Sequence, residues 1–134
     1  MIQALHHIAV AVESIDAALP QWVDGLGLQL VSREDVPTEQ VRVAILKAGT
    51  TRIELVEPLG PDSPLVKFLQ KRGPGLHHLA FQVGDTGEVM KVLADRGAPL
   101  LADAPKPGAH GTKVAFVHPK WLGGVLAELV EVGK

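Results

Sequence analysis

Two pairs of adjacent histidines are the residues of this sequence that most clearly suggest chemistry. His6 and His7 open the apolar stretch "LHHIAVAV", and His77 and His78 open the closely similar stretch "LHHLAFQV". Both stretches read as β-strands, in which successive side chains point to opposite faces. One histidine of each pair can therefore enter a site while the other faces away, and imidazole is a common metal ligand.

Two glutamates lie inside other apolar stretches, Glu54 in "RIELVEP" and Glu128 in "LAELVEV". An ionised carboxylate is expensive to bury unless it is paired, hydrogen-bonded or bound to a metal. One histidine and one glutamate from each half of the chain would supply four ligands. Such a set suits an octahedral divalent ion such as Mn, Co, Ni or Fe, with positions left for water or substrate.

Each of these residues also has an ordinary interpretation. A single strand histidine is usually a packing or surface residue, and a single glutamate in an apolar strand more often lies on a solvated face. The recurrence of all four at matched positions of a repeat favours the metal site. Glu57 and Glu131 follow the two glutamates by three positions. Strand alternation predicts that these two point to the opposite face and are solvated.

The repeat extends over most of the chain and predicts the elements that hold these residues. Each half contains a histidine-bearing strand, a helix, a turn into a second strand, and two further strands. The closing glutamate follows the second histidine of each pair by 47 positions in the first half and by 50 in the second. We therefore predict an α+β fold of two tandem βαβββ modules, about residues 3–58 and 74–133. Their mixed sheet is expected to curve into a cleft, with a connecting helix at about 63–72.

Local signals predict where these elements begin and end. Ser14, Ser63 and Asp85 are suitable N-caps for three helices. Pro20 lies within the predicted first helix and counts against its continuity, because proline removes a backbone donor. In the second half, "GAPLL" at 97–101 is predicted to turn into the second strand.

Composition limits the classes of function. The 134 residues are 46% hydrophobic and carry a net charge of −2 with no basic run, so nothing favours a nucleic-acid partner. No apolar stretch approaches the ~18 residues of a membrane span, and "MIQALHH" has no positively charged leader. The lack of cysteine excludes disulfides and thiolate chemistry. We predict a cytoplasmic protein that binds neither nucleic acid nor membranes.

The repeat with a first-strand histidine and a last-strand glutamate resembles the vicinal oxygen chelate superfamily. This superfamily includes glyoxalase I, extradiol dioxygenases, fosfomycin-resistance enzymes and metal-free bleomycin-resistance proteins. Three longer segments are similar to methylmalonyl-CoA epimerases: "LHHIAVAVESID", "RIELVEPLGPDSPLVKFLQKRGPGLHHLAFQV" and "VAFVHPKWLGGVLAELVE". The resemblance covers essentially the whole chain and implies the vicinal oxygen chelate fold.

The resemblance implies one divalent metal ion, such as Co, Mn or Ni, and it also implies which residues bind this ion. These would be the second histidine of each pair with the two strand glutamates: His7, Glu54, His78 and Glu128. Some epimerases have glutamine where this chain has Glu54, so the ligand at that place varies in kind. The resemblance also implies a homodimer.

The reaction implied is the interconversion of (2R)- and (2S)-methylmalonyl-CoA through an enolate that the metal stabilises. A base removes the α-proton on one face and an acid returns a proton on the other. Glu128 would be one of these groups. His118, Lys120 and Gly111 match the region near the substrate carboxylate and the coenzyme A arm, although His118 and Lys120 could equally be turn residues.

The chain departs from part of this family at Val43. Some epimerases read "VREAM" where this chain reads "VRVAI", and valine cannot transfer a proton. The second acid–base group is therefore not identified by the resemblance. Lys106, His110 and Glu39 are candidates for it.

Three alternatives to the epimerase remain open at this point. A glyoxalase I-like lyase would share the metal geometry, but the "HPK" ending is of the coenzyme A type. A dioxygenase typically uses two histidines and one carboxylate rather than two of each. A metal-free binding protein should lack the four ligands.

Overall fold

The computed structural model describes residues 1–133, which form eight strands and three α-helices with short helical turns between them. The strands are β1 (Ile2–Ala11), β2 (Gln29–Val36), β3 (Val41–Ala48), β4 (Thr51–Pro58), β5 (Gly75–Val83), β6 (Lys106–Pro107), β7 (Lys113–Val117) and β8 (Leu126–Glu131). The helices are α1 (Ile15–Leu19), α2 (Pro64–Arg72) and α3 (Thr86–Asp95). A π-helical turn spans Pro20–Gly25, and 3₁₀ turns span Ala109–Gly111 and Pro119–Leu122.

The chain divides into two compact units, one of which is His7–His77. Its strand order is β2-β3-β4-β1. β1 and β4 run parallel, with Ala9 opposite Glu54, whereas β2, β3 and β4 pair antiparallel. α1 covers one face of these strands, where Ile15, Leu46 and Leu55 are fully buried.

The other unit combines Met1–His6 with the chain from His78 onward. Its strand order is β5-β8-β7-β6, with the start of β1 reaching β5 where the Gln82 amide donates to the Gln3 side chain. β5 and β8 run parallel, with Ala80 opposite Glu128, and β7 is antiparallel to β8. The combination of parallel and antiparallel pairs with helices confirms the predicted α+β class.

In each unit the helix that follows the histidine strand packs on one face of the strands. In the second unit α3 contributes Val89, Met90 and Leu93 to a core with Val117 and Leu129. Ala80, Val114 and Val130 form a separate small cluster, because alternation points them to the other face. That second face is the one that carries the side chains of the strand histidines and glutamates.

The first helix changes its form at Pro20, the residue that counted against its continuity. Ser14 caps α1 by accepting the Ala17 N–H at 3.1 Å, as expected. After five residues the α-helix changes into the π-helical turn, which Pro20 begins. Proline has no N–H to continue the α-helical hydrogen bonds, which explains the change at that residue.

The other two helices begin at their predicted caps. The Ser63 hydroxyl accepts the Leu65 N–H at 3.3 Å at the start of α2, which ends at Gly73 with a φ of 73°. The Asp85 carboxylate accepts the Glu88 N–H at 2.9 Å at the start of α3. These caps satisfy donors that a helix start otherwise leaves free.

The second strand of the repeat differs between the halves. The first half has the second strand that the repeat predicts, β2, which is eight residues long. The matching segment at 97–101 was expected to enter a strand, but it contributes only a bridge between Leu100 and Val117, and the short strand β6 follows at Lys106–Pro107. Pro99, Pro105 and Pro107 lack backbone donors, so this segment cannot complete a ladder.

The order β-α-β-β-β occurs in each half of the chain, while the module boundaries at about 3–58 and 74–133 remain a prediction. Among residues 1–133, no helix combines the length and the apolar character that a membrane span requires.

Candidate metal centre

His7 and Glu54 form a buried pair in the unit His7–His77. Ala9 is directly opposite Glu54 across the parallel β1 and β4 strands, and His7 lies two residues earlier on the same face. The His7 Nδ1 atom is 3.2 Å from Glu54 Oε2, and the two residues are only 5% and 6% exposed. His7 is therefore in direct contact with the strand glutamate, and the ligand atom of His6 also lies within 4.8 Å of those of His7 and Glu54.

His78 and Glu128 form the matching pair in the other unit. Ala80 is opposite Glu128 across β5 and β8, with His78 again two residues earlier. The His78 Nε2 atom is 3.3 Å from Glu128 Oε1, and the residues are 9% and 7% exposed. The Phe116 ring meets the His78 ring edge-on at a centroid distance of 5.6 Å, which fixes the imidazole plane.

The donor atoms of both pairs fit a divalent metal ion. His7 and Glu54 belong to one group of side chains that could hold a metal, and His78 and Glu128 belong to another. Two ligand atoms that bind one ion at about 2.1 Å in neighbouring positions lie about 3 Å apart, and the two pairs have separations of 3.2 and 3.3 Å. A cation would also offset the buried carboxylate charge.

Glu57 and Glu131 were expected to be solvated, and this expectation is wrong. Their side chains are only 15% and 26% exposed. The Glu57 carboxylate accepts the Ile15 N–H at 2.6 Å, and the Glu131 carboxylate accepts the Thr86 N–H at 2.8 Å. Both residues therefore bind the start of a helix. The equal spacing of three residues after each strand glutamate was a signal for this shared role that the sequence argument missed.

Val43 lies on the same face as Glu54 and is buried. Across β3 and β4, Ile45 is opposite Glu54 and Val43 is opposite Val56. On its other side Val43 is opposite Glu34 of β2, so Glu34 shares this face. The neighbouring strand thus supplies a carboxylate beside the position where this chain lacks one, a relation that only strand register reveals.

The predicted substrate-binding residues lie in exposed turns of the unit that contains His78. The His118 Nδ1 atom accepts the Lys120 N–H at 2.9 Å, which caps the 3₁₀ turn Pro119–Leu122. Lys120 is exposed, and Gly111 adopts a φ of 70°, where a side chain is disfavoured. His118 thus has a local structural role in addition to any contact with substrate.

The three candidates for a second acid–base group lie in different settings. Lys106 is exposed on β6 opposite Val114, on the face that carries Glu128. His110 is exposed with a φ of 55°, an uncommon conformation for a residue other than glycine. Glu39 is half-buried in the turn between β2 and β3. Their proposed role in proton transfer stays a prediction.

The family model of the glyoxalase/bleomycin resistance protein/dioxygenase superfamily matches residues 6–116. The ethylmalonyl-CoA/methylmalonyl-CoA epimerase of Cereibacter sphaeroides is 40% identical over 134 residues, covering 98% of this chain and 100% of the relative. The mitochondrial methylmalonyl-CoA epimerase of Mus musculus is 40% identical over 93% of this chain and 71% of its own length.

Solved structures agree with these relatives. The methylmalonyl-CoA epimerase of Mycobacterium tuberculosis superposes with a TM-score of 0.94 at 36% identity, covering 99% of this chain and 90% of that one. A methylmalonyl-CoA epimerase in complex with methylmalonyl-CoA and NH4+ has a TM-score of 0.93 at 32% identity, covering 99% and 96%. The vicinal oxygen chelate fold is confirmed. The chain belongs to the glyoxalase/bleomycin resistance protein/dioxygenase superfamily and, within it, to the methylmalonyl-CoA epimerase family.

Proposed function

We propose that this chain is an isomerase that interconverts (2R)- and (2S)-methylmalonyl-CoA by moving the α-proton. The observation that carries the proposal is the pair of buried His–Glu contacts at equivalent places of a repeat. That repeat belongs to a family with a member solved with methylmalonyl-CoA bound. The α-carbon of this substrate lies between a thioester and a carboxylate, so its proton is weakly acidic.

His7, Glu54, His78 and Glu128 would together hold one divalent ion, such as Co, Mn or Ni. The match of donor types, burial and spacing in the two pairs supports this ligand set. When bound, the ion supplies Lewis-acid stabilisation of the negative charge that develops on the substrate oxygens.

Glu128 is the proposed proton-transfer group on one face of the substrate. Its carboxylate contacts His78 within an apolar strand, where Ala127 and Leu129 on either side are also buried. Burial excludes competing water and holds the carboxylate in one place, as proton transfer requires. A carboxylate that is also a metal ligand is a weaker base, so the reaction depends strongly on a second proton-transfer group.

Glu34 is the proposed second proton-transfer group, in place of the valine at position 43. The register of β2 and β3 supports it, because Glu34 is directly opposite Val43 on the Glu54 face. Glu34→Gln should lower the rate of epimerisation by about 10²–10⁴-fold. Exchange of the α-proton of one epimer should continue, because Glu128 would still serve its own face. Unchanged epimerisation in this variant would exclude Glu34, and Val43→Glu in the same background should restore part of the rate.

His118, Lys120 and Gly111 are the proposed contacts of the substrate carboxylate and coenzyme A arm. The exposed Lys120 offers a cation for an anionic ligand, and the capping contact with His118 orders the turn that carries it. Lys120→Met should raise KM more than it lowers kcat, because this cation acts in binding rather than in proton transfer.

We also propose that the enzyme acts as a homodimer in the cytoplasm. Ile2, Leu5 and Val132 are about half exposed and provide apolar surface that a second copy could cover. Sedimentation equilibrium of the metal-loaded protein tests the assembly, and a monomer at micromolar concentration would exclude the dimer.

The decisive experiment follows the α-proton of methylmalonyl-CoA in heavy water by NMR. Metal-loaded protein should incorporate deuterium at the α-carbon and interconvert the epimers, and a chelator should stop both processes. Protein that is loaded with Co²⁺ and still incorporates no deuterium would rule out the epimerase. Full exchange in the presence of the chelator, or in the His7→Ala variant, would rule out the metal-dependent mechanism.

A further inference from the structure

Glu57 joins the ends of the two strands that carry the first His–Glu pair. It lies near the end of β4, three residues after Glu54, and its Oε1 atom accepts the N–H of Ile15 at 2.6 Å. Ile15 is the first residue of α1 and follows β1 through a short turn. The contact therefore ties the end of β4 to the chain that leaves β1.

Glu131 makes the same connection for the second His–Glu pair. It is the last residue of β8, three residues after Glu128, and its Oε1 atom accepts the N–H of Thr86 at 2.8 Å. Thr86 is fully buried as the first residue of α3, which follows β5, and its hydroxyl donates to the Lys113 carbonyl at 3.3 Å. Ile15 and Thr86 each follow the ligand histidine by eight positions. The two connections are therefore equivalent in the repeat.

A cation opposite each glutamate balances its charge. Arg42 lies directly across from Glu57 on β3, with 3.0 Å between Arg42 Nη1 and Glu57 Oε2. Lys113 lies directly across from Glu131 on β7, with 3.9 Å between Lys113 Nζ and Glu131 Oε2. Each carboxylate thus has one oxygen for the helix N–H and one for the cation. A negative charge at a helix start is also favourable in the field of the peptide dipoles.

Both connections link parallel strands whose relative offset decides where the ligands lie. β1 and β4, like β5 and β8, have no tight hairpin between them to set their register. A shift of one residue would turn every side chain of the shifted strand to the opposite face. The histidine would then lose its glutamate, although the strands could still pair.

We propose that Glu57 and Glu131 are positioning residues that hold the ligand histidine and glutamate of each half in register. The inference rests on the proposed function in so far as the positioned pairs bind a metal ion. Neither glutamate lies on the face that carries the ligands, because each follows a ligand glutamate by an odd number of positions. Each acts through the strand offset, by binding the first N–H of the helix that follows the histidine strand.

The test in the second half compares two substitutions of Glu131 with a control in the same helix start. Glu131→Ala removes the acceptor, whereas Glu131→Gln keeps an oxygen that can accept the Thr86 N–H. Asp85→Ala removes the N-cap of α3 and should weaken that helix without releasing β8. The readouts are the affinity for Co²⁺, followed by its visible absorption, and the exchange of the Thr86 amide proton with solvent.

Glu131→Ala should lower the affinity for Co²⁺ by about 10–100-fold and expose the Thr86 amide to exchange. Glu131→Gln should bind Co²⁺ nearly as the unchanged protein does. Asp85→Ala should lower the thermal midpoint while retaining the affinity. The inference fails if Glu131→Ala retains affinity and protection. It also fails if Asp85→Ala loses as much affinity, because general destabilisation would then be the cause.

The first half offers a second set of variants with the same logic. Glu57→Ala should weaken Co²⁺ binding, whereas Glu57→Gln should bind Co²⁺ nearly as the unchanged protein does. Ser14→Ala is the control, because it removes only the cap of α1. Protein that binds no Co²⁺ and exchanges no α-proton would refute the proposed function. In that case hydrogen exchange of the backbone amides still tests the positioning role. Glu57→Ala and Glu131→Ala should then speed exchange at Ile15 and Thr86, and along β4 and β8, if the two glutamates keep the strands in register.

Discussion

The two halves of the repeat, β1–β4 with α1 and β5–β8 with α3, agree where the candidate site is built and differ elsewhere. Both place a histidine and a glutamate on a parallel strand pair, and both tie the strand ends to a helix start through a glutamate. Their helices and second strands differ in length and type. The elements that set ligand positions have thus kept their geometry, while elements farther along each half have varied.

The pairs themselves also differ in detail. Nδ1 of His7 faces Glu54, whereas Nε2 of His78 faces Glu128. The residue directly opposite the glutamate is Ile45 in the first half and Phe116 in the second. The aromatic ring packs edge-on against His78, although the second pair is slightly more exposed than the first. This asymmetry suits a site in which only one of the two glutamates transfers a proton.

The largest expected effect is a difference in activity between variants of Glu128 and of Glu54. Glu128→Gln should lower the exchange rate of the α-proton by about 10²–10⁴-fold for the epimer that Glu128 deprotonates, because an amide cannot accept that proton, whereas the other epimer should still exchange through Glu34. Glu54→Gln should cost less than about 10-fold, because an amide oxygen can still bind the metal, and glutamine stands there in some related epimerases. Parallel measurement of exchange and Co²⁺ affinity checks both. Equal losses in the two variants would contradict separate roles.

A smaller effect should appear in the mobility of the two helices. The π-helical turn Pro20–Gly25 has no buried residue, whereas α3 buries Val89, Met90 and Leu93. Backbone amides of Gln21–Gly25 should therefore exchange with solvent about 10-fold or more faster than those of Val89–Leu93, since local opening exposes less apolar surface. Hydrogen exchange followed by NMR measures this. Equal protection would show that the turn is held as firmly as α3.

The smallest expected effect concerns the cation in each half. Arg42 binds both Asp35 and Glu57, and its hydrogen bond is the main cause that lowers the pKa of Asp35 below the usual 3.8. Because the folded pKa is lowered, this pair contributes stability above pH 3.8 that is lost as the pH falls through the folded value. Arg42→Met should raise the pKa of Asp35 towards 3.8 in an NMR titration. Lys113→Met should leave that pKa unchanged.

Several features of the fold could be predicted because they depend on local chemistry. Helix starts at Ser14, Ser63 and Asp85 follow from side chains that accept nearby N–H groups, so a few residues decide them. The interruption at Pro20 follows from its missing donor. The second strand after Gly97 was expected from the repeat, but three prolines prevented it. The repeat alone predicts a strand here, whereas the prolines predict none. The structure follows the prolines, because they cannot donate the backbone hydrogen bonds of a strand.

The contacts of Glu57 and Glu131 could not be predicted in the same way. Strand alternation correctly predicts that both side chains point away from the face that carries the ligands. It does not predict which residues they contact on the other face. Ile15 and Thr86 lie 42 and 45 residues away in the chain. Only parallel pairing of the strands brings a helix start to each strand end.

The sequence by itself determined the types of the candidate ligands, their recurrence and the family to which they belong. The tertiary structure decided that His7 contacts Glu54 and that His78 contacts Glu128, because strand register places the members of each pair on one face. It also decided that Glu34 lies across from Val43. Register is a property of two strands far apart in the chain, and it arises from their packing and hydrogen bonds rather than from either strand alone.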